Sequence, residues 1–310
     1  MNEPRVLVFA YHDVGYECLE LLLTRGVNVV AVFTHTDNPN ERIWFKSVAA
    51  LAQSHHVPVY PPESVNAPEW VGRIRALGPE LIFSFYYRNM IAPEILDLAR
   101  LGAYNMHGSL LPKYRGRVPI NWAVLHGATE TGATLHVMVK RADAGDIVDQ
   151  ERVAIGPEET AREVFANVTA AARRVLARQL DNLLAGRAPR RPQDETQATY
   201  FGGRKPDDGR IDWDQDARAV FNLIRAVTHP YPGAFADVGG RRFYIWWAAP
   251  VFAARGRPGE VIEVAPLTVA CGVGALAVKE WQWQHDQTSR HDDAHGLPVG
   301  MVFDSSPARA

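Results

Sequence analysis

The sequence has few cysteines, almost no charge imbalance and no long hydrophobic run, and each shortage excludes a class of protein. Its 310 residues include two cysteines, Cys18 and Cys271, which leaves no disulfide framework and no cysteine-based zinc site. Its 33 basic and 35 acidic residues disfavour a strongly basic nucleic-acid binder. No apolar stretch reaches the roughly 18 residues that a membrane-spanning helix needs. We therefore expect a cytoplasmic protein without a membrane span.

The N-terminal two-thirds of the chain alternates short apolar runs with amphipathic segments. Strands that are apolar on both faces and separated by helices form parallel sheets covered by helices on both sides. The pattern predicts an α/β fold with a Rossmann-like parallel sheet. A classical dinucleotide site is not expected, because residues 11–15 lack the glycine-rich turn that should follow the first strand. The apolar runs of strand length cover residues 6–10, 27–33, 57–60 and 81–85.

The sequence changes character after its longest predicted helix. That helix covers residues 158–184, and a polar linker follows it. Short strand-like runs then alternate with turn residues such as Gly239 and Gly240, a pattern typical of β-hairpins. It predicts a smaller C-terminal antiparallel β-barrel of the OB-like kind. We expect a catalytic domain over residues 1–204 and a β-barrel-like domain over residues 205–310.

The densest group of chemically useful side chains begins near residue 104. Asn105 and His107 alternate, so an extended strand would point both to one face. Histidine exchanges protons near neutral pH, and an asparagine amide can donate to a developing oxyanion. Asp143 follows in a loop of small residues, and a carboxylate beside an imidazole stabilises its protonated form. The set suits acyl transfer to an amine, although each residue alone also fits an ordinary structural role.

This region resembles a known family. Residues 105–116 and the stretch Ala-Asp-Ala-Gly at 142–145 resemble the signature of the 10-formyltetrahydrofolate-dependent formyltransferases, which include enzymes acting on methionyl-tRNA and on sugar nucleotides. The stretch His-Thr-Asp-Asn-Pro at 35–39 is similar to the branch that acts on UDP-4-amino-4-deoxy-L-arabinose in lipid A modification and polymyxin resistance. The resemblance extends over most of the chain, but residues 284–310 match the family poorly.

The resemblance implies a role for each site residue. His107 would be the acid and base that handles the amine proton, Asn105 would stabilise the tetrahedral oxyanion, and Asp143 would favour protonated His107. Arg117 would bind the substrate, with Arg204 a weaker candidate for contact with phosphate or uracil. The co-substrate would be 10-formyltetrahydrofolate, and no metal is implied. The resemblance assigns folate binding, largely through the backbone, to Asn89, Met90, Ile91, Val139, Lys140, Arg141, Ala142 and Asp143.

Two further features of this part of the chain bear on ligand binding. Lys113, Arg115 and Arg117 form a basic turn suited to phosphate, with a solvated loop as the alternative. Histidines outside the motif include His136, and none has the His-Glu-x-x-His spacing that would imply a metal.

The leading prediction is formyl transfer to the amine of a UDP-amino sugar by a stand-alone enzyme, since no second Rossmann pattern follows. The alternatives are formylation of methionyl-tRNA or of another nucleotide-linked amino sugar, hydrolysis of formyltetrahydrofolate, and a folate or nucleotide-sugar sensor without turnover. Residues 205–310 carry 11 basic and 13 acidic residues, whereas a large RNA needs a basic face. The near-neutral charge of residues 205–310 favours a small nucleotide-sugar partner over a nucleic acid. It does not indicate an oligomeric state.

Overall fold

The computed structural model describes residues 3–39 and 41–304. Within this part, the chain forms two compact units. The first contains the described residues up to 119 and two later segments, 130–154 and 165–202. The second contains residues 120–129, 155–164 and the described residues from 203 onward. The division at residues 204 and 205 stays a prediction, and the segments 120–129 and 155–164 are additions that sequence analysis did not anticipate.

The elements through residue 202 alternate strands and helices. In chain order they are β1 (Val6–Ala10), α1 (His12–Thr24), β2 (Val29–Phe33), α2 (Val48–Ser54), β3 (Val59–Tyr60), α3 (Pro68–Leu77), β4 (Leu81–Phe85), α4 (Pro93–Leu96), β5 (Ala103–His107), β6 (Arg115–Gly116), α5 (Pro119–Leu125), β7 (Glu130–Val137), β8 (Ile147–Ala154), α6 (Ala161–Leu184) and β9 (Tyr200–Phe201).

The first unit is built on a seven-stranded sheet in the order β3-β2-β1-β4-β5-β7-β8. The predicted Rossmann-like parallel arrangement is confirmed for β3 through β5, and β1 and β4 are buried at every residue. The sheet is mixed, however, because β7 pairs antiparallel with β5 and with β8. The loop 138–146 that joins β7 to β8 is shorter than the dozen or so residues that a parallel crossover needs.

The strand order reverses at β1, which has β2 on one side and β4 on the other. The loops after β1 and β4 therefore leave the sheet in different directions and open a crevice at its carboxyl edge, where α/β proteins bind ligands. This crevice and the neighbouring end of β5 contain the polar residues discussed below.

The second unit contains α7 (Ala217–Val227) and a five-stranded antiparallel sheet. Its strands are β10 (Ala234–Val238), β11 (Arg241–Val251), β12 (Val261–Val264), β13 (Leu267–Ala270) and β14 (Ala275–Trp283), and they lie in the order β10-β11-β14-β13-β12. This sheet confirms the smaller antiparallel β domain. Gly239 and Gly240 form the predicted hairpin turn, where φ angles of 56° and 73° suit glycine.

Side chains at the start of α6 cap the helix. At the start of α6, the Thr160 N–H donates to the Glu163 carboxylate over 2.8 Å, and the Glu163 N–H donates to Thr160 Oγ1 over 3.3 Å. The sequence Thr-Ala-Arg-Glu therefore forms a capping box, which satisfies N–H groups that the first helical turn leaves unpaired. Among the described residues, no helix combines the length and apolar character needed to cross a membrane.

Candidate active site

The three residues predicted to carry the chemistry come together at β5. Asn105 and His107 share one face of this strand, as their alternate spacing predicts. Asp143 reaches the same face from the loop between β7 and β8. Its Oδ1 atom lies 3.5 Å from His107 Nδ1 and 3.4 Å from Asn105 Nδ2. The side chain of Asp143 is only 12% exposed, so these contacts form in a largely dry environment.

Both ring nitrogens of His107 face oxygen atoms. Nε2 lies 2.7 Å from the carbonyl oxygen of Tyr114, and Nδ1 faces the Asp143 carboxylate. The imidazole is buried and fixed from two sides, so its plane is set before any ligand arrives. Two acceptors around one imidazole suit a group that must hold a proton during a reaction and then release it.

Asp143 remains a carboxylate over the physiological range. Burial alone would raise its pKa, but His107, the adjacent His136 ring and the Gly116 N–H at 2.9 Å together hold the pKa well below its usual value. The backbone of Asp143 adopts a φ of 55°, which is uncommon for a residue other than glycine. Gly145 lets the loop pass close to β7, because a Cβ there would lie 2.0 Å from the Val137 carbonyl oxygen.

His136 is a fourth member of this cluster, and sequence analysis did not select it. It lies on β7 directly opposite Asn105, and it is 2% exposed. Its Nδ1 atom donates to the Val137 carbonyl oxygen over 2.9 Å, which leaves Nε2 to accept from Asn105 Nδ2 over 3.1 Å. His136 therefore sets the orientation of the Asn105 amide. Its alternate spacing from Thr134 was an available signal, but the pairing of β7 with β5 was unknown.

The basic turn after β5 does not act as one phosphate site. The Arg115 side chain is fully buried, and its guanidinium donates to Glu195, to Gln193 and to the Tyr200 hydroxyl. It is a structural clamp that ties residues 193–200 to the turn, so the prediction that it faces phosphate is wrong. The prediction fails because Arg115 pairs with Glu195, which is distant in the chain and is not indicated by the local sequence pattern.

Comparison with family models shows which family the chain belongs to. Residues 5–180 match the model described as formyl transferase, and residues 204–294 match the model of the formyl transferase C-terminal domain. The chain belongs to the formyl transferase family. As a member of this family it is a transferase enzyme.

Several solved structures share this fold. An N-formyltransferase from Helicobacter canadensis, in complex with folinic acid and dTDP-3-aminofucose, is 18% identical, with a TM-score of 0.69, over 89% of this chain and 99% of that one. A sugar N-formyltransferase from a Shewanella species is 20% identical, with a TM-score of 0.65, over 79% and 98%. HypX from Aquifex aeolicus, in complex with tetrahydrofolic acid, is 19% identical, with a TM-score of 0.62, over 93% of this chain but only 45% of its own. The chain thus spans about half the length of HypX.

The two segments predicted to contact folate in this formyltransferase are loops with exposed apolar side chains. On the loop after β4, Met90 is 58% exposed, and Ile91 is buried against the core. Asn89 is exposed and donates to the Glu63 carbonyl oxygen over 3.4 Å. On the loop after β7, Val139 is 43% exposed. Of the next residues in that loop, Ala142 is half-buried and two are exposed, Lys140 and Arg141.

The two arginines predicted to bind the substrate belong to different units. Arg117 is exposed in the first unit, and its Nη2 atom lies 3.5 Å from the Arg88 carbonyl oxygen. Arg204 belongs to the second unit, where it donates to the Asp208 carbonyl oxygen over 2.6 Å and covers the Trp122 ring at 4.8 Å. Across residues 3–39 and 41–304, no group of His, Cys, Asp or Glu side chains could hold a metal ion.

Proposed function

We propose that this formyltransferase moves the formyl group of 10-formyltetrahydrofolate to the amine of a nucleotide-linked amino sugar. The convergence of Asn105, His107 and Asp143 on one buried face carries the proposal, because it supplies an oxyanion donor, an acid and base, and a carboxylate that holds the base. Relatives bound to folinic acid and tetrahydrofolic acid support the donor. A relative bound to dTDP-3-aminofucose supports the acceptor class.

The reaction proceeds by direct transfer. The neutral sugar amine attacks the formyl carbon and forms the new C–N bond, and the carbonyl oxygen becomes a tetrahedral oxyanion. The Asn105 amide stabilises this charge with the N–H that makes the longer, 3.4 Å contact to Asp143. His107 takes the proton lost by the amine and delivers it to N10. The bond from carbon to N10 then breaks, releasing tetrahydrofolate and a formamide.

UDP-4-amino-4-deoxy-L-arabinose is the acceptor that we favour, as a step of lipid A modification and polymyxin resistance. The segment at 35–39 and the near-neutral charge of residues 205–310 support a nucleotide sugar over tRNA. Two buried free cysteines, Cys18 and Cys271, suit a reducing compartment and therefore the cytoplasm. Residues 1–204 would form the catalytic domain, with Arg117 and Arg204 as substrate contacts.

The test is a formylation assay with 10-formyltetrahydrofolate and a panel of UDP- and dTDP-linked amino sugars, with initiator methionyl-tRNA and a sample without acceptor alongside. We expect the formamide of a nucleotide sugar, and we expect His107→Ala to lower the rate at least about a thousandfold. His55→Ala, at an exposed histidine, is the matched control. Formylated tRNA, formate released without an acceptor, or an active His107→Ala enzyme would each overturn the proposal.

A further inference from the structure

An exposed arginine lies in the crevice between β1 and β4. Sequence analysis predicted no role for this residue. Arg88 follows β4, and its guanidinium covers the Tyr11 ring at 4.7 Å. Both oxygens of the Glu41 carboxylate accept from Arg88 at 3.0 Å. The Arg88 N–H donates to His35 Nε2 over 3.0 Å, so its backbone is fixed while its side chain contacts a carboxylate from another loop.

Arg117 lies beside this pair. Its Nη2 atom is 3.5 Å from the Arg88 carbonyl oxygen, which brings a second guanidinium to the same crevice. Among the described residues, the one carboxylate in an ion pair with either arginine is that of Glu41. Arg117 has no ion pair among the described residues, and the carboxylates beside the crevice are Glu41 and Asp37, which accepts from the Tyr11 hydroxyl over 2.7 Å. A diphosphate that displaces Glu41 would meet both guanidinium groups with oxygen atoms that match the planar fork of arginine.

A ligand can displace Glu41 from Arg88 more easily than it could displace the partners of Arg115. Its two side chains are 44% and 40% exposed, and exposed ion pairs contribute little net stability. Arg115, by contrast, is fully buried and donates five hydrogen bonds to three partners. Removing Glu41 from Arg88 therefore costs far less than opening the clamp, and a ligand with more negative charge can replace it.

A cavity of about 300 Å³ adjoins Arg88 on the β2 side. Tyr11 and His35 line the cavity and also contact Arg88, and aromatic and polar groups that suit a nucleoside complete the wall. The strand order places the cavity by β2, Arg88 by β1 and β4, and His107 on β5, with neighbouring strands about 4.8 Å apart. Nucleoside, diphosphate and amino sugar follow the same order in the acceptor.

We propose that Arg88, with Arg117, binds the diphosphate of the nucleotide-linked acceptor, and that Glu41 is an internal anion which this diphosphate displaces. The inference rests on the proposed function. It adds Arg88 as a residue that binds the acceptor and Glu41 as a group that competes with the diphosphate for Arg88. Glu41 keeps the crevice neutral in the free enzyme and lowers its affinity for diphosphate. The carboxylate disfavours weaker anions more strongly than a diphosphate, so it also contributes selectivity.

The experiment measures the dissociation constants of UDP and uridine by calorimetry for the wild type, Arg88→Gln, Glu41→Gln and the double variant. We expect Arg88→Gln to weaken UDP binding about tenfold or more, and Glu41→Gln to tighten it about two- to fivefold. Glu41→Gln should have no effect on UDP binding when Arg88 is already replaced by Gln. Neither substitution should change the dissociation constant of uridine. Glu130→Gln, which breaks an exposed ion pair with Arg152, should bind UDP like the wild type.

Folding is checked by the affinity for 5-formyltetrahydrofolate, which should not change in any variant. Equal UDP binding by the wild type and Arg88→Gln, or a Glu41 effect that persists without Arg88, would overturn the inference while the proposed function stands. If the expected pattern holds but no nucleotide amino sugar is formylated, the diphosphate site is supported and the proposed acceptor fails. A wild type that binds no nucleoside diphosphate would contradict both.

Discussion

The side-chain amide of Gln193 donates a hydrogen bond to the backbone carbonyl oxygen of Asp143 over 2.8 Å. It donates a second one to the Gly145 carbonyl oxygen over 2.6 Å, and its own oxygen accepts from Arg115. Because Asp143 has a φ of 55°, its loop needs support from outside. Gln193 provides that support from a segment about fifty residues away in the chain.

We expect Gln193→Ala to lower kcat by about tenfold to a hundredfold, because the Asp143 carboxylate would lose its fixed position against His107. The dissociation constant of the nucleotide should change little. Steady-state formylation kinetics and UDP calorimetry measure the two quantities. Gln197→Ala, in the same exposed segment but bonded to Asp194, is the matched control and should retain wild-type kcat. Equal kcat values for Gln193→Ala and Gln197→Ala would show that Gln193 does not support Asp143.

His136 should influence catalysis through Asn105. His136→Leu removes the acceptor that orients the Asn105 amide, so we expect kcat to fall about tenfold or more with little change in the KM for folate. His136→Gln restores an acceptor oxygen and should recover part of the lost rate. Melting temperatures of both variants separate this effect from loss of packing, since a purely structural role would lower stability without a difference in kcat between them.

Local pattern was enough to predict part of this site. Asn105 and His107 share a face because they alternate in a strand, and that rule needs no knowledge of neighbouring strands. The parallel strands and the capping box at Thr160 are equally local, since apolar runs and helix-capping residues carry them in the sequence itself.

What sequence analysis missed depends on residues that are distant in the chain. His136 joins the site through the register of β7 against β5, which no spacing within either strand specifies. Arg115 looks like a phosphate ligand until Glu195, eighty positions later, pairs with it. The antiparallel end of the sheet likewise follows from how β7 and β8 pair across a short loop.

The neighbouring arginines 115 and 117 should respond differently to the same substitution. Arg115→Met removes the buried clamp to Glu195, Gln193 and Tyr200, so we expect a loss of about 2 kcal/mol in the free energy of unfolding. Arg117→Met removes an exposed side chain and should change stability by less than about 0.5 kcal/mol. It should instead weaken UDP binding. Urea unfolding and calorimetry provide the two measurements, and a stable Arg115→Met protein would contradict the clamp.

His12 is a largely buried histidine whose titration should make stability depend on pH. Its ring stacks on Phe45 at 4.0 Å and lies 4.6 Å from each of the Trp44 and Phe165 rings. Burial, and secondarily the charge of Arg88, lower its pKa from 6.5 to about 3. The unfolded chain therefore takes up a proton below pH 6.5 that the folded chain refuses, so stability falls as the pH drops from 6.5 toward 3.

The slope from this one group approaches about 1.4 kcal/mol per pH unit between its two pKa values. His12→Asn removes the titrating ring, and asparagine tolerates the φ of 64° at this position. We expect urea unfolding between pH 4.5 and 6.5 to show a shallower loss of stability for His12→Asn than for the wild type, whatever its absolute stability. His55→Asn, at an exposed histidine, should retain the wild-type slope. Parallel curves for the wild type and His12→Asn would show that His12 does not remain neutral in the fold.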